Sequence, residues 1–185
     1  GIMSDMPKFK PDGYITSYER RNQTSEIPVI DGFKISSNYV FRRLVKDNYG
    51  EHPERFIDRL HAYNFGEAYE FDLSENGSSS PSIPDPASSS WTIYDLANVA
   101  IGYSTKVTPL QVATFYNAIA NDGKMMKPYV VESIEDNGKV LQEFKPVILN
   151  GAICSKATAD TLTRALKMVT LEGTASKLKN AKCVV

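Results

Sequence analysis

The strongest pattern of apolar and polar positions lies in residues 97–128, where apolar side chains recur at the spacing of one helix face. Thr108, Pro109 and Gln111 mark the start of this helix, because an N-cap threonine and a glutamine three residues later form a capping box around a proline at the first helical position. Gly123 marks its end, since glycine readily adopts the left-handed conformation that follows a helix. The predicted apolar face consists of Val112, Phe115, Tyr116 and Ile119.

Weaker patterns of the same kind predict that most of the chain is helical. Further helices are expected over residues 37–48, 53–66, 94–99 and 155–173. Two β-prone runs, residues 129–134 and 139–144, flank the dipeptide Asn137-Gly138, which predicts one β-hairpin. The predicted fold class is therefore α+β, predominantly helical, with one attached hairpin.

Three segments lack a clear helical pattern. Residues 1–32 predict an irregular lead-in with a short exposed strand at Gly13–Tyr18. Residues 74–90 read SENGSSSPSIPDPASSS and predict a flexible surface loop, because serine- and proline-rich sequence buries little apolar surface. The last residues, Cys183–Val185, predict the start of a strand.

The composition is that of an ordinary globular domain. With 185 residues the chain can build one proper core, and its net charge is −1. No run of Lys or Arg predicts nucleic-acid binding, and no apolar run reaches the ~20 residues of a membrane span. Cys154 and Cys183 are too few for a disulfide framework, and neither they nor His52 and His61 stand at metal-ligand spacing. We therefore expect no metal and no cofactor.

A Ser-Ser-Asn triplet, Ser36 to Asn38, stands at the start of the first predicted helix in the sequence KISSNYVF. Serine and asparagine are common N-caps, so the triplet alone is a weak signal. The order of parts strengthens it: a glycine turn at residues 100–102 precedes the capped helix, which leads through Lys-Pro into a β-rich run. Together these parts closely resemble the transpeptidase domain of class B penicillin-binding proteins, the enzymes that cross-link peptidoglycan.

The resemblance identifies the triplet with S-x-N, the second of three motifs in penicillin-recognising transpeptidases. It implies that Ser36 relays protons and that Asn38 and Ser37 contact the substrate. A hydroxyl can pass a proton to a leaving group, and an amide can both donate and accept hydrogen bonds. The resemblance also implies the helical part of a β-lactamase/transpeptidase-like fold and an acyl-serine intermediate. Peptidoglycan stem peptides and β-lactams would be the partners, at the periplasmic face of the inner membrane, in a membrane-anchored parent protein.

The other two motifs of the resembled family are missing from their expected places. No K-T-G occurs, and the one S-x-x-K, Ser176–Lys179, follows the triplet, whereas the family's nucleophile precedes it. We interpret this S-x-x-K as a coincidence. We expect residues 1–185 to be an interior segment of a transpeptidase domain that is inactive alone, so the question of an enzyme activity stays open. Apolar faces meant for absent strands would be uncovered, which predicts a homo-oligomer or a rearranged contact with a partner.

Two other interpretations stay open at this point. The chain could be a non-catalytic helical scaffold of the same fold that binds other proteins. It could instead be an unrelated serine hydrolase in which Ser36, His61 and an aspartate form a triad, although no G-x-S-x-G pattern surrounds the serine. The sequence does not distinguish a role in cell elongation from a role in division.

Overall fold

A computed structural model describes residues 8–9, 27–69, 80–92 and 94–181 of the chain, with the backbone alone at 8–9. The chain divides into two compact units. The first unit draws on residues 1–56, 84–104 and 161–185, and the second on residues 57–83 and 105–160. The assignment of residues 1–185 to one partial domain stays a prediction.

Most of the regular structure in the described residues is helical, and every strand there is short. The α-helices of the described residues are α1 (Val29–Lys34), α2 (Asn38–Tyr49), α3 (Pro53–Ala62), α4 (Asp95–Val99), α5 (Pro109–Ala120) and α6 (Lys156–Glu172). The strands are β1 (Lys8–Phe9), β2 (Ile27–Pro28), β3 (Met125–Met126), β4 (Ser133–Asp136), β5 (Lys139–Glu143) and β6 (Ile148–Asn150). This mixture agrees with the predicted α+β class.

The first unit is built around α2, which packs against α1 and α4. Its core contains Ile27, Tyr39 and Val40, all of them buried. The strand β2 pairs antiparallel with β1. Phe33 of α1 meets Phe41 of α2 edge to face, with ring centroids 5.8 Å apart. Aromatic pairs of this geometry prefer a defined orientation, so the contact helps to fix the two helices that flank the Ser-Ser-Asn triplet.

The second unit packs α5 against β3, which pairs antiparallel with β6. Met125 of β3 and Ala118 of α5 are fully buried there. The strands β4 and β5 form a separate antiparallel hairpin. At its turn Asn137 and Gly138 have φ of 48° and 78°, as a two-residue type I′ turn requires. The predicted hairpin and its turn are confirmed, but its first strand begins at Ser133 and not at residue 129.

The predicted start and end of α5 are confirmed. Gln111 Oε1 accepts a hydrogen bond from the Thr108 amide at 2.8 Å, and Thr108 Oγ1 accepts one from the Gln111 amide at 3.2 Å. After the helix, Gly123 has φ of 91°. A Cβ at Gly123 would lie 2.4 Å from the carbonyl oxygen of Cys154. Both the positive φ and the close approach therefore require glycine at this position.

The predicted apolar face of α5 is partly wrong. Val112 and Tyr116 are 37% and 50% exposed. The buried stripe instead includes Gln111, Thr114 and Ala118. Small and polar side chains are buried on this stripe because their hydrogen bonds are satisfied: Gln111 and Thr114 both bond to backbone carbonyls. The spacing of apolar residues alone does not mark such a face.

Two further boundaries differ from the sequence predictions. The irregular lead-in predicted for residues 1–32 is wrong at its end, where Ile27–Pro28 form a strand and Val29–Lys34 a helix. Proline lacks an amide hydrogen, which the start of a helix does not need, so Pro28 does not interrupt this segment. The helix α3 ends at Ala62 and not near Gly66, because Asn64 has already left the helical conformation with φ of 57°.

The described part of the predicted Ser/Pro-rich loop, residues 80–90, has no helix or strand beyond an isolated bridge between Ser82 and Lys106. Residues 74–79 and the strands predicted at Gly13–Tyr18 and Cys183–Val185 lie outside the described residues. The flexibility of the loop stays a prediction. Over the described ranges, no helix combines the length and the apolar character that a membrane crossing needs.

Candidate active site

The Ser-Ser-Asn triplet lies in the turn between α1 and α2. The turn is closed by hydrogen bonds from the Ser36 amide to the Phe33 carbonyl at 3.1 Å and from the Ser37 amide to the Gly32 carbonyl at 2.8 Å. Ser36 has φ of 55°. This left-handed conformation costs a non-glycine residue roughly 1–3 kcal/mol, and it persists only where the surrounding structure enforces it. Ser36 is therefore held in an unusual backbone conformation by its neighbours.

Ser37, the middle residue of the triplet, is the N-cap of α2. Its hydroxyl accepts a hydrogen bond from the Val40 amide at 3.3 Å, and the residue is only 1% exposed. This hydroxyl helps to start α2. A contact of Ser37 with substrate stays a prediction.

Ser36 and Asn38, in contrast, are both exposed. Ser36 Oγ lies 3.3 Å from Thr174 Oγ1, although 138 residues separate the two in sequence. Asn38 occupies the first position of α2. Both side chains can meet a ligand from solvent. Their roles as proton relay and substrate contact stay predictions.

Thr174 belongs to the segment Glu172-Gly173-Thr174, which we call the EGT segment and which begins at the last residue of α6. The sequence did not predict this segment as part of the site. The Thr174 amide donates to the Lys34 carbonyl at 3.1 Å. A Cβ at Gly173 would lie 2.3 Å from the same carbonyl oxygen. Only glycine permits this close approach of two backbones, so the EGT segment is pressed against the turn that carries Ser36.

Charged side chains also connect the end of α1 with the EGT segment. Lys34 Nζ lies 2.8 Å from Asp31 Oδ1 and 3.2 Å from Glu172 Oε2. The hydrogen bond to Asp31, with a further contribution from Glu172, raises the pKa of Lys34 above its ordinary value of 10.5, although partial burial opposes the change. The lysine therefore stays charged at neutral pH. Its ion pairs link the end of α1 to the EGT segment.

The sequence contained one sign of this segment, since Gly173 was predicted to end the last helix. A helix end can be predicted locally, but the surface on which it packs cannot. Nothing in the sequence near Ser36 points to a partner 138 residues away. The EGT segment was therefore missed as part of the site.

The S-x-x-K sequence has no catalytic arrangement in the structure. Ser176–Leu178 form a short 3-10 helix, and the side chains of Ser176 and Lys179 are exposed. The backbone amide of Lys179 donates to the Ser176 carbonyl, which is the ordinary bond of such a turn. A serine nucleophile needs a base held at its hydroxyl, and no bond between these two side chains is present in the described residues.

The histidines and the described cysteine also lack a catalytic arrangement. His52 Nδ1 lies 3.1 Å from Glu54 Oε1 on an exposed part of the chain. The Ser36 hydroxyl pairs with Thr174 and with no imidazole in the part of the chain that the structure describes. Burial raises the pKa of Cys154, which leaves it a thiol and not a reactive thiolate. Over the same described residues, no group of His, Cys, Asp and Glu could hold a metal.

A cavity of about 390 Å³ lies in the first unit, beside α2 and α4. Its walls include Tyr39, Arg42 and Lys46 of α2 and the aromatic residues Trp91 and Tyr94. Neither the exposed members of the triplet nor Thr174 line it. The cavity is therefore distinct from the surface at Ser36.

The chain matches a family of known proteins. A family model described as "Penicillin binding protein transpeptidase domain" matches residues 2–183. The chain is 31% identical to penicillin-binding protein PbpB of Mycolicibacterium smegmatis over 118 residues, which are 63% of this chain and 17% of that protein. It is 34% identical to penicillin-binding protein H of Bacillus subtilis over 86 residues, which are 43% of this chain and 12% of that protein. The chain thus spans less than a fifth of these relatives.

Solved structures give the same result. Penicillin-binding protein 3 of Mycobacterium tuberculosis, complexed with aztreonam, superposes with a TM-score of 0.68 and 26% identity over 83% of this chain and 33% of that chain. Penicillin-binding protein 2B of Streptococcus pneumoniae shares the fold with a TM-score of 0.76 at 19% identity, over 97% of this chain and 32% of that chain. The recognition made from the Ser-Ser-Asn triplet and the capped helix is confirmed: the chain belongs to the penicillin-binding protein transpeptidase family.

Proposed function

We propose that this chain contributes the S-x-N part of the active site of a peptidoglycan D,D-transpeptidase, with Ser36 as proton relay and Asn38 as a contact to the stem peptide. The observation that carries the proposal is the conformation of Ser36. The residue is exposed, its backbone is held at φ of 55°, and its hydroxyl pairs with Thr174 beyond a distant helix end. Strain of this kind, imposed on a polar residue at the surface, favours a functional role over a simple helix cap.

The proposed reaction requires of Ser36 only a hydroxyl in the correct position. In an acyl transfer, a separate serine oxygen attacks the peptide carbonyl carbon, a C–O bond forms and the C–N bond breaks. The attacking serine loses a proton and the leaving amine gains one. A neighbouring hydroxyl can donate its own proton to the amine and accept another, so that it ends unchanged. Ser36 is the residue of this chain that we assign to that transfer.

The nucleophile itself lies outside the triplet. Ser37 is buried in a helix cap, and Ser176 is exposed, with no base hydrogen-bonded to its hydroxyl among the residues that the structure describes. Nucleophilic catalysis needs the serine and its base held together. We therefore propose that this chain alone does not form an acyl-enzyme. The whole protein would do so with an S-x-x-K serine and a K-T-G strand supplied by residues other than those of this chain.

β-Lactams are the second class of ligand that we propose for the whole protein. Two structures of the similar Mycobacterium tuberculosis protein hold aztreonam and ampicillin. We also propose peptidoglycan synthesis at the outer face of the cytoplasmic membrane, in a membrane-anchored protein, and the family membership supports this proposal. These properties belong to the proposal for the full-length gene product and not to the chain by itself.

The test is the intact mass of the protein after incubation with excess penicillin, followed by peptide mapping. The full-length gene product should gain one penicillin per protein, on a serine outside the triplet, and this chain alone should gain none. In the full-length protein, Ser36→Ala should lower the acylation rate about 100-fold, the lower range for a lost general acid–base group. Ser176→Ala is the matched control and should leave the rate unchanged.

Other outcomes would identify different functions. An adduct on Ser36 or Ser176 in the isolated chain would contradict the proposal and favour the serine hydrolase interpretation. A full-length protein that never reacts with penicillin would favour the non-catalytic scaffold. Acylation of the Ser36→Ala protein at the full wild-type rate would remove the relay role while leaving the family membership intact.

Self-association stays a separate proposal, supported by apolar side chains at the surface of the hairpin. Ile134, Val140 and Leu141 are 46%, 53% and 61% exposed. Exposed apolar residues gathered on one element are a common mark of a contact with another protein. Light scattering over a range of concentrations would detect a homo-oligomer, and Leu141→Glu should return it to monomers. A monomer at every concentration would exclude this contact.

A further inference from the structure

We propose that Thr174 is a positioning residue that fixes the side chain of Ser36 for proton transfer. This inference rests on the proposed relay role of Ser36. It concerns a residue outside the S-x-N motif, in the EGT segment, which the sequence analysis did not assign to the site.

The hydroxyl groups of Ser36 and Thr174 form a pair. Ser36 Oγ and Thr174 Oγ1 are 3.3 Å apart, and either oxygen can be the donor. A serine hydroxyl at the surface otherwise samples several rotamers and directs its proton toward water. A partner fixed in position selects one rotamer of the serine, whichever of the two hydroxyls donates the hydrogen bond. A relay that must meet a leaving group gains from this restriction, because reactive geometry is lost with small displacements.

Thr174 is itself held in place by backbone contacts. Its amide donates to the Lys34 carbonyl at 3.1 Å. Gly173 lies so close to the same carbonyl that a Cβ would be 2.3 Å from the oxygen. The ion pair between Lys34 and Glu172 adds a third contact. The support therefore reaches Ser36 from a segment anchored at three successive residues.

The backbone of Ser36 restricts the same hydroxyl. Its left-handed conformation, with φ of 55°, places the serine side chain in a direction that an ordinary helix start would not give. The neighbouring Ser37 has an extended conformation and directs its hydroxyl into the helix cap. The strained turn and the threonine together direct one hydroxyl of the triplet away from the cap.

The test uses the full-length gene product and compares Thr174→Val, which keeps the shape and removes the hydroxyl, with Thr174→Ser, which keeps the hydroxyl. Acylation by a fluorescent penicillin gives the rate of the chemical step and the affinity of the preceding complex separately. We expect Thr174→Val to lower the rate of the chemical step about fivefold to tenfold, the value of one neutral hydrogen bond, with the affinity unchanged. Thr174→Ser should restore most of the rate.

Two controls separate positioning from stability. Thr170 lies on α6, is buried, and donates its hydroxyl to the Lys167 carbonyl at 2.9 Å. Thr170→Val should lower the melting temperature without changing the acylation rate. In the Ser36→Ala background, Thr174→Val should have no further effect on the rate, because the partner that it positions is already absent.

The outcomes distinguish this inference from the proposed function. Equal slowing by Thr174→Val with and without Ser36, or no slowing at all, would overturn the positioning role and leave the relay intact. No rescue by Thr174→Ser would overturn it as well. A Ser36→Ala protein that is acylated at the full rate would overturn both the relay and the positioning role.

Discussion

The N-terminal cap of α5 and the turn that carries Ser36 both lie at the start of a helix, but different interactions stabilise them. At α5, Thr108 and Gln111 close a capping box within three residues. At the turn before α2, the Ser36 hydroxyl and the Lys34 carbonyl both contact Thr174, 138 residues away from Ser36. The first is a local structure that the sequence nearby specifies. The second exists only when a distant helix end is in place, and this is the one that carries the candidate chemistry.

The two regions also differ in strain. Around the capping box, Gln111 satisfies backbone groups on several sides and its side chain is fully hydrogen-bonded. At the turn, a serine is held in a left-handed conformation that glycine would adopt more easily. A scaffold helix can be optimised for stability alone. A site must hold a hydroxyl where a reaction needs it, and accepts a less favourable backbone in return.

The largest expected effect tests whether the cap of α5 depends on long-range hydrogen bonds as well as on local ones. Gln111 is buried and donates from Nε2 to the carbonyls of Asn64 and Glu67 at 2.9 and 2.8 Å. Gln111→Met should lower the free energy of unfolding by about 3 kcal/mol, because two carbonyls and the Thr108 amide lose their partner. Denaturant unfolding measures the change. Gln142→Met, at an exposed position of β5, is the control and should cost less than about 0.5 kcal/mol. A similarly small loss at Gln111 would mean that the cap works without its long-range bonds.

The second effect addresses the long-range contact at Ser36. A Cβ at Gly173 meets the backbone of Lys34 and of Val169, which cannot move aside as a flexible side chain can. Gly173→Ala should destabilise the chain by about 2 kcal/mol, as overpacking of a close contact does. At Gly151, no atom lies within 4 Å of a new Cβ. Gly151→Ala should therefore leave the unfolding midpoint nearly unchanged, and equal losses at both glycines would argue against the close packing of the EGT segment.

The third effect measures the strain in the turn. Ser36→Gly and Ser36→Ala both remove the hydroxyl, but only glycine relieves the positive φ. The glycine variant should be more stable than the alanine variant by about 1 kcal/mol. At Ser90, an exposed serine without a positive φ, the order should reverse or vanish, since glycine gains nothing there. Ser36→Ala as stable as Ser36→Gly would show that the turn is not strained.

The smallest effect is the pH dependence of the ion pairs at Lys34. Asp31 raises the pKa of Lys34 in the folded chain above 10.5, its ordinary value. A raised pKa gives a stabilisation that is complete below 10.5 and is lost as the pH rises through the higher folded value. The difference in unfolding free energy between wild type and Lys34→Met should be about 0.5 kcal/mol near neutral pH, since Glu172 is largely exposed. It should vanish at strongly alkaline pH. A difference that grows with pH would contradict the assignment.

Much of the fold could be predicted from the sequence, because its signals are short-range. The caps of α5, the Asn137-Gly138 turn and the extent of α6 follow from residues within a few positions of each other. The helix α1 escapes prediction because it has only six residues and its N-cap position is Pro28, which offers no side-chain cap. The sequence predicts an apolar buried face for α5, because a sequence alone does not show that the polar side chain of Gln111 is buried with its hydrogen bonds satisfied.

The candidate site divides in the same way. The triplet and its place at the start of α2 were predictable, and so was the family. The separate roles of its two serines were not: Ser37 caps the helix and Ser36 is exposed. One-residue differences in backbone conformation decide which hydroxyl faces solvent. Periodicity and motif spacing do not contain that information, since both serines fit the N-cap preference equally well.

By itself, the sequence determined the capped start and the glycine end of α5, the turn of the hairpin, and the family to which the chain belongs. These properties depend on hydrogen bonds and dihedral preferences that act over three or four residues. Only the tertiary structure decided that Thr174 lies beside Ser36, because this contact closes a loop of 138 residues and depends on how α6 ends against the backbone of Lys34. A contact of that length is set by packing of the whole unit, and packing is a property that no local stretch of sequence contains.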